Sequence, residues 1–282
     1  MFAKQKDGQV TVGQGKRLLS RWLGSWIWDR LWIKELIMEE GSFERIPKHI
    51  GIIPDGNRRW AEQNNMGKQK GYFYGIEPGF KLYELMIKYG IKEATFFGFT
   101  QDNTKRPKTQ KEAFIKACVN AVEKLSNRDA NLLVIGNNNS KIFPKELLKY
   151  ANKRVKFGRG LININFLVNY DWKWDLNQAF IRAYSSNNSS NSNSNSNSSN
   201  GMNGNISCSL YNNIYDNIAS ADISRIDLII RWGGRRRLSG FLPIQSVYSD
   251  IYVIDDYWPN FREEDFIEAL NWYQTTDITL GG

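Results

Sequence analysis

Residues 49–60 read HIGIIPDGNRRW, an apolar run that changes at Pro54 into a polar and basic segment. The apolar run over 48–53 predicts a buried strand, and a helical pattern follows over 57–65. Further apolar strands (94–99, 132–135, 162–168, 227–230 and 251–254) alternate with helical patterns (72–89, 109–125, 172–184 and 263–273). This alternation is typical of a parallel sheet with helices on both faces. We therefore predict an α/β fold with a mainly parallel central sheet of about six strands.

The residues directly after the first strand have the composition of a site for a metal-bound diphosphate. Asp55 can hold a hard cation. The backbone amides of Gly56 and Asn57, at a helix N-terminus, can bind phosphate oxygens, and Arg58 and Arg59 add charge-assisted donors. A second interpretation fits equally well: Asp55 caps the helix and the arginines form a solvated face.

Two other predicted strands also end in basic loops. Residues 231–239 (RWGGRRRLS) carry four arginines, which repel one another unless an anion neutralises them. Residues 99–107 (FTQDNTKRP) follow the second strand. Ligands of parallel sheets bind beyond the carboxyl ends of the strands, so three such loops predict a cleft for an anionic substrate. An RNA-binding surface is the alternative, but RNA-binding proteins usually present aromatic side chains on an exposed sheet, and these strands are predicted to be buried.

The whole-chain composition limits the classes of function. The net charge of +9 indicates an anionic partner. Two cysteines, Cys118 and Cys208, are too few for a disulfide framework, and the single histidine, His49, excludes a multi-histidine metal centre. We interpret His49 as structural. The chain has no apolar run of about 18 residues and no secretory signal, so a cytoplasmic protein is expected.

Two segments depart from the alternating pattern. Over 16–38 apolar residues recur every four positions among four tryptophans and several basic residues, which predicts an amphipathic helix. This helix either lies on an anionic membrane through residues 17–38 or packs on its own domain or a partner subunit. Residues 185–205 are almost entirely Ser, Asn and Gly and predict a mobile surface loop.

Four segments, in chain order, resemble the signatures of the cis-prenyltransferases, the undecaprenyl and dehydrodolichyl diphosphate synthases: HIGIIPDGNRRWA, FTQDNTKRP, DLIIRWGGRRRLSGFLPIQSVYSD and YWPNF. The resemblance implies the fold of that family in a catalytic domain over 47–282, preceded by a tail and amphipathic helix over 1–46. It implies a Mg²⁺-dependent enzyme that condenses an allylic prenyl diphosphate with isopentenyl (or dimethylallyl) diphosphate and releases diphosphate. It also implies a homodimer, and no nucleic-acid partner is then expected.

The resemblance assigns roles to individual residues. Asp55, Asn103 and Arg59 are implied to be catalytic, with Asp55 and Asp250 as metal ligands, Asp250 standing where the family has Glu. The residues implied to bind the allylic diphosphate are Gly56, Asn57, Arg58, Arg59 and Lys68, and those implied to bind the homoallylic diphosphate are Arg106, Arg231, Arg237 and Ser239. Phe99 and Thr100 are implied to line the prenyl pocket, and Phe96 and Phe97 are further candidates for its apolar wall.

Departures from the family pattern concentrate around the diphosphate loops. Lys68 replaces Arg, Tyr72 replaces His, and Gln110 and Arg235 each replace Glu. We therefore expect a short-chain or irregular coupling, with cyclisation of a single prenyl diphosphate by a terpene synthase as the first alternative. A non-catalytic subunit of a heteromeric enzyme is the second, although such subunits lose residues that this chain keeps: Asp55, Arg59, Arg231 and Arg237.

Overall fold

The computed structural model describes residues 43–190 and 214–277. The predicted helix over 16–38 and most of the Ser/Asn/Gly segment lie outside the described residues. The described residues from Arg45 onward belong to one compact unit. The predicted boundary between an N-terminal tail (1–46) and a catalytic domain (47–282) stays a prediction, because most of the tail lies outside the described residues.

Seven strands form one sheet in the order β4-β3-β5-β2-β1-β6-β7. They are β1 (His49–Ile53), β2 (Glu93–Phe97), β3 (Ala130–Ile135), β4 (Val155–Lys156), β5 (Ile162–Leu167), β6 (Leu228–Arg231) and β7 (Asp250–Val253). Every neighbouring pair is parallel except β3 and β4. The predicted mainly parallel α/β fold is confirmed. Sequence analysis missed β4, because two residues are too short to show a period.

Helices connect the strands. They are α1 (Asn57–Gln63), α2 (Gly71–Tyr74), α3 (Ile76–Lys88), α4 (Lys108–Leu125), α5 (Trp172–Ser190), α6 (Ile214–Asn217) and α7 (Glu263–Thr275). Short 3₁₀ turns cover Lys68–Lys70, Gln101–Lys105, Lys145–Tyr150 and Trp258–Asn260. None of the helices in the described ranges combines the length and the apolar character needed to cross a bilayer.

Two helix predictions need correction. The helix expected over 72–89 is two helices, α2 and α3, which meet at Gly75. The loop expected to begin at residue 185 begins later, because α5 continues to Ser190. Adding residues to a helix that has already formed costs little free energy, so α5 extends into the Ser/Asn segment. Within this extension the Ser185 hydroxyl donates a hydrogen bond to the Ile181 carbonyl one turn back, at 3.0 Å.

Buried apolar side chains of β1 pack the centre of the sheet and hold the strand ends in fixed positions. Ile50 and Ile52 of β1 are completely buried. Gly51 between them faces the ring of Phe241, and a Cβ atom at this position would lie 2.5 Å from that ring. The ring therefore packs directly on the backbone of β1, just below the loop that contains Asp55.

His49 lies at the amino end of β1, away from this loop. Its Nε2 is 2.8 Å from the Thr95 hydroxyl and its Nδ1 is 3.0 Å from the Ser224 hydroxyl. Burial lowers the pKa of the imidazole despite the nearby Glu93 carboxylate, which acts to raise it. These contacts tie β1 to β2 and to the loop before β6, which agrees with a structural role.

Candidate active site

Three strand-end loops meet above the carboxyl ends of the parallel strands. Ile53 of β1 lies in register with Arg231 of β6, so Asp55 and Arg231 emerge side by side. The loop after β2 borders the same space, a cleft of about 520 Å³. Of the fourteen residues predicted for the site, twelve line this cleft: Asp55, Gly56, Asn57, Arg58, Arg59, Lys68, Thr100, Asn103, Arg106, Arg231, Arg237 and Ser239.

The Asp55 carboxylate lies at the floor of the cleft. Its Oδ2 accepts a hydrogen bond from Arg231 Nη2 at 2.8 Å, and its Oδ1 accepts one from the Gly56 backbone N–H at 2.6 Å. Arg59 Nη2 is 3.5 Å from Oδ1. Burial alone would raise the pKa of the Asp55 carboxyl, but these donors and the two positive charges hold it below its ordinary value. Asp55 is therefore an anion held by two arginines.

Arg231 is buried, with 3% of its surface exposed. Besides Asp55, its Nη1 donates to the Ser239 hydroxyl at 3.1 Å and to the backbone carbonyl of Arg237. Its Nε is buried and has no hydrogen-bond partner in the described part of the chain. A buried guanidinium with one unused donor can bind a further acceptor group.

Two glycines allow the loops to approach this closely. Gly56 has φ +100°, and a Cβ atom there would lie 2.5 Å from the Tyr257 ring. Gly233 has φ +86°, and a Cβ atom there would lie 2.6 Å from Arg59 Nη2. Arg59 donates to the Gly233 carbonyl at 3.0 Å, which joins the first loop to the third. A side chain at either position would strain the backbone and separate the loops.

The loop after β2 is held by an internal cap. The Thr100 backbone N–H donates to Asn103 Oδ1 at 3.0 Å, and the Asn103 N–H donates to the Thr100 carbonyl at 3.0 Å. Arg106 then donates to the Tyr72 hydroxyl at 2.8 Å. Burial raises the pKa of the Tyr72 phenol, so it is neutral near pH 7 and serves as the acceptor for Arg106.

The cleft carries a large positive charge. Seven cationic side chains and three carboxylates line it, an excess of four positive charges. One of these cations is Arg235, which the sequence analysis noted as a departure from the family pattern. Like charges gathered in this way destabilise the empty protein and favour a multivalent anion.

A second, apolar cavity opens from the cleft. Pro54, Asn57, Tyr72, Gly98 and Phe114 line both spaces. The inner cavity has a volume of about 80 Å³ and runs between α3, α4 and the sheet. Its walls carry the rings of Phe80, Tyr83, Phe96, Phe114, Phe166 and Trp258. Tyr72 stacks on Phe114 at the junction, with ring centroids 4.5 Å apart.

The predicted prenyl-pocket residues are placed differently from the expectation. Phe99 is fully buried and lines neither cavity; it packs edge-on beneath Phe114, with ring centroids 5.5 Å apart. Thr100 and Phe97 line the polar cleft, whereas Phe96 does line the apolar cavity. Strand alternation explains why Phe96 and Phe97 line different spaces, because successive side chains of β2 point to opposite faces. Phe99 and Thr100 lie beyond the end of this strand.

Asp250 lies apart from the other predicted site residues. It is the first residue of β7 and lies in register with Leu228, which in turn lies in register with Ile50. β1 ends at Ile53, three residues beyond Ile50, so a rise of about 3.3 Å per residue gives a separation of roughly 10 Å along the strands. Asp250 does not line the cleft that contains Asp55, and its role as a metal ligand stays a prediction.

Most of the apolar cavity was missed by sequence analysis. Its aromatic residues on α3 and β5 have the periodicity of ordinary core residues. One signal was available in the sequence: small residues occur in pairs four positions apart. The pairs are Gly75 with Gly79 and Ala117 with Ala121, and all four residues line the cavity. Small residues at this spacing leave space along one face of a helix.

The comparisons with known proteins agree with this geometry. The family model described as a putative undecaprenyl diphosphate synthase matches residues 53–281. A ditrans,polycis-undecaprenyl-diphosphate synthase ((2E,6E)-farnesyl-diphosphate specific) from Vibrio parahaemolyticus is 30% identical over 245 residues, covering 84% of this chain and 92% of the relative. An isoprenyl transferase from Chlorobaculum tepidum is 28% identical over 243 residues, covering 84% and 86%.

A solved structure shares the fold. Lavandulyl diphosphate synthase from Lavandula x intermedia, in complex with dimethylallyl diphosphate, superposes with a TM-score of 0.68 at 21% identity, covering 84% of this chain and 99% of that chain. The family match spans more than half of the chain, and its residues include all three loops of the cleft. The chain belongs to the undecaprenyl diphosphate synthase family of cis-prenyltransferases and is a prenyl-transferring enzyme.

Proposed function

We propose that the chain condenses an allylic prenyl diphosphate with isopentenyl or dimethylallyl diphosphate, with Mg²⁺, and releases diphosphate. The observation that carries the proposal is the junction at Tyr72 and Phe114, where a cationic cleft meets an apolar cavity. A prenyl diphosphate has a charged head and an apolar tail, so one molecule fills both spaces. The relatives are named for prenyl diphosphates, which supports this assignment.

The cleft residues divide between two diphosphates in this proposal. Arg58, Arg59 and Lys68, with the Gly56 and Asn57 amides, bind the allylic diphosphate at the mouth of the apolar cavity. Arg231, Arg237 and Ser239 bind the homoallylic diphosphate, and Arg106 lies between the groups. As the allylic C–O bond breaks, negative charge grows on the leaving oxygens, and these cations stabilise that charge more than they stabilise the substrate.

The residues of this site fit a Mg²⁺ ion that is shared with the substrate. In the described ranges no group of three or more His, Cys, Asp and Glu side chains is placed to hold a metal ion. Mg²⁺ at phosphoryl sites uses one or two carboxylates plus phosphate oxygens, and Asp55 supplies one carboxylate at the floor of the cleft. The bound ion would neutralise charge on the departing diphosphate.

The condensation also releases a proton: the terminal alkene carbon of isopentenyl diphosphate forms the new bond, and the proton leaves from the carbon on the other side of the resulting carbocation, next to the diphosphate-bearing carbon. Tyr72 stands where the family has His, and its raised pKa makes it a neutral phenol rather than a base. The Asp55 carboxylate is ion-paired. We assign the proton to the departing diphosphate, and we assign to Asn103, held by Thr100, the role of positioning the condensing diphosphate at the cleft.

The cavity supports a short product. Its volume is about 80 Å³, so only a short stretch of prenyl chain enters it. A long polyprenyl chain does not fit among its aromatic walls. We therefore infer a short-chain or irregular coupling.

Product analysis tests this function. The purified enzyme with Mg²⁺ is incubated with dimethylallyl, geranyl or farnesyl diphosphate, with and without isopentenyl diphosphate, and the products are identified by mass spectrometry. We expect a diphosphate product one or a few five-carbon units longer than the allylic substrate, or a coupled dimethylallyl product. A hydrocarbon or alcohol formed from the allylic substrate alone would reject condensation, and a ladder of long polyprenyl diphosphates would reject the short-chain assignment.

We also propose that the enzyme is a homodimer. The β7 edge of the sheet has no strand partner among the described residues, and apolar side chains lie exposed beside it: Val247, Tyr248 and Ile251. Light scattering should give twice the mass of the chain, and Ile251→Lys should yield the monomer; a monomeric wild type would contradict this. The expected cytoplasmic location, and membrane contact through residues 17–38, remain proposals that vesicle sedimentation of the full chain can test.

A further inference from the structure

Arg231 and a metal ion need the same carboxylate. A guanidinium buried as deeply as that of Arg231 needs a negative partner, and Asp55 supplies it at 2.8 Å. Mg²⁺ needs that same carboxylate in the proposed function. A cation bound to Asp55 Oδ2 would lie next to the positive Arg231 Nη2, with little water between them to screen the repulsion.

The contacts of Arg231 show how this conflict can be resolved. Nε and Nη2 form the edge of a guanidinium that binds carboxylates and phosphates through two parallel hydrogen bonds. Asp55 uses only half of this edge, because its Oδ1 is held by the Gly56 N–H and Nε has no partner. A phosphate group would satisfy both donors and would release Asp55.

We propose that the diphosphate exchanges the partners of Asp55: when a phosphate group takes over Arg231, the carboxylate is freed for the divalent cation. This inference rests on the proposed function and adds an order of assembly to it. In the enzyme without diphosphate, Arg231 competes with the cation for the carboxylate and weakens cation binding. Diphosphate and cation then bind with positive coupling, and the coupling is reciprocal.

The first test measures cation binding in the absence of diphosphate. Free Mn²⁺ is followed by electron paramagnetic resonance as it is titrated with wild-type enzyme and with Arg231→Gln. We expect Arg231→Gln to bind Mn²⁺ on the order of tenfold more tightly than the wild type, because the competing charge is gone. The control is Arg235→Gln, which removes one positive charge from the same cleft but makes no ion pair with Asp55. That variant should stay within about threefold of the wild type.

Equal Mn²⁺ affinities for wild type and Arg231→Gln, or equal gains in both arginine variants, would overturn the exchange. Asp55→Asn should abolish Mn²⁺ binding both in the wild type and in combination with Arg231→Gln. Mn²⁺ binding that survives this change would also overturn the proposal.

A second test does not depend on the folding of Arg231→Gln. Inorganic pyrophosphate binding is measured by calorimetry in EDTA, so that no metal is present. Asp55→Asn should bind pyrophosphate on the order of tenfold more tightly than the wild type, because Arg231 is no longer engaged. The control is Asp102→Asn, a carboxylate of the same cleft whose ion pair is with Lys105. If Asp55→Asn gains no more than this control, the proposal is wrong.

Neither test uses a prenyl substrate, so the exchange and the proposed function can fail separately. An enzyme that makes prenyl products but gives equal Mn²⁺ affinities rejects the exchange and keeps the function. An enzyme that shows the exchange but forms no product rejects the function.

Discussion

Gly79 offers the sharpest test of where the prenyl tail binds. It lies in α3 and lines the apolar cavity, and a Cβ atom there would meet Trp258 at 4.0 Å, an ordinary contact. Replacing glycine in a helix raises stability by up to about 1 kcal/mol. Gly79→Leu should therefore stay folded, with a melting temperature about 2 °C above that of the wild type. Its side chain should also fill most of an 80 Å³ cavity.

The cost to activity follows from the tail that is displaced. Losing the burial of one five-carbon unit, at about 0.8 kcal/mol per carbon, amounts to roughly 4 kcal/mol. This predicts a fall in kcat/KM for the allylic substrate of nearly 10³-fold. The assay combines thermal unfolding with steady-state kinetics on geranyl and dimethylallyl diphosphate.

Two control variants distinguish a blocked cavity from a change in helix stability or in surface hydrophobicity. Gly79→Ala should gain the same stability but keep kcat/KM within about threefold. Lys81→Leu places the same side chain on an exposed position of α3 and should leave the kinetics unchanged. A Gly79→Leu enzyme that is folded and has wild-type kcat/KM would refute the assignment of this cavity to the tail.

Three other outcomes are expected. Asp55→Asn should lower kcat by about 10³-fold while the circular dichroism spectrum is kept. The control, Asp102→Asn, should retain most activity. A larger loss of kcat in Asp102→Asn than in Asp55→Asn would contradict the role of Asp55. The folded-state pKa of Asp55 lies below its unfolded value, so its stabilising contribution is present above pH about 4 and is lost as pH falls through the folded pKa. The melting-temperature gap between wild type and Asp55→Asn should narrow from pH 6 to pH 3, and a constant gap would argue against this. Gly51→Ala forces a methyl group to within 2.5 Å of the Phe241 ring and should cost about 1–3 kcal/mol in urea unfolding; an unchanged midpoint would show that the ring yields.

The polar half of the site could be predicted from the sequence because its signals are local. Asp55, Arg59 and Arg231 each follow an apolar run that had to be a strand, and parallel strands bring their carboxyl ends to one edge. The twelve residues that line the cleft follow from this rule and the family pattern. The same local signals underlie the correct strand and helix types.

The apolar half could not be predicted, because an apolar residue beside a cavity and one in a filled core have the same pattern. Phe80 and Phe166 line a cavity only because Gly75 and Ala121 leave space opposite them. The location of Asp250 could not be predicted for a related reason: a family pattern assigns a residue type to a position, but the register of β7 decides at which edge of the sheet that position lies.

The central claim is that one prenyl diphosphate spans the cationic cleft and the apolar cavity. A crystal structure with geranyl thiolodiphosphate, which resists ionisation, tests this most directly. We predict a diphosphate within hydrogen-bond distance of Arg58 and Arg59 and a tail that passes between Tyr72 and Gly98 toward Phe166. A diphosphate bound outside the cleft, or a tail that leaves the cavity empty, would contradict it.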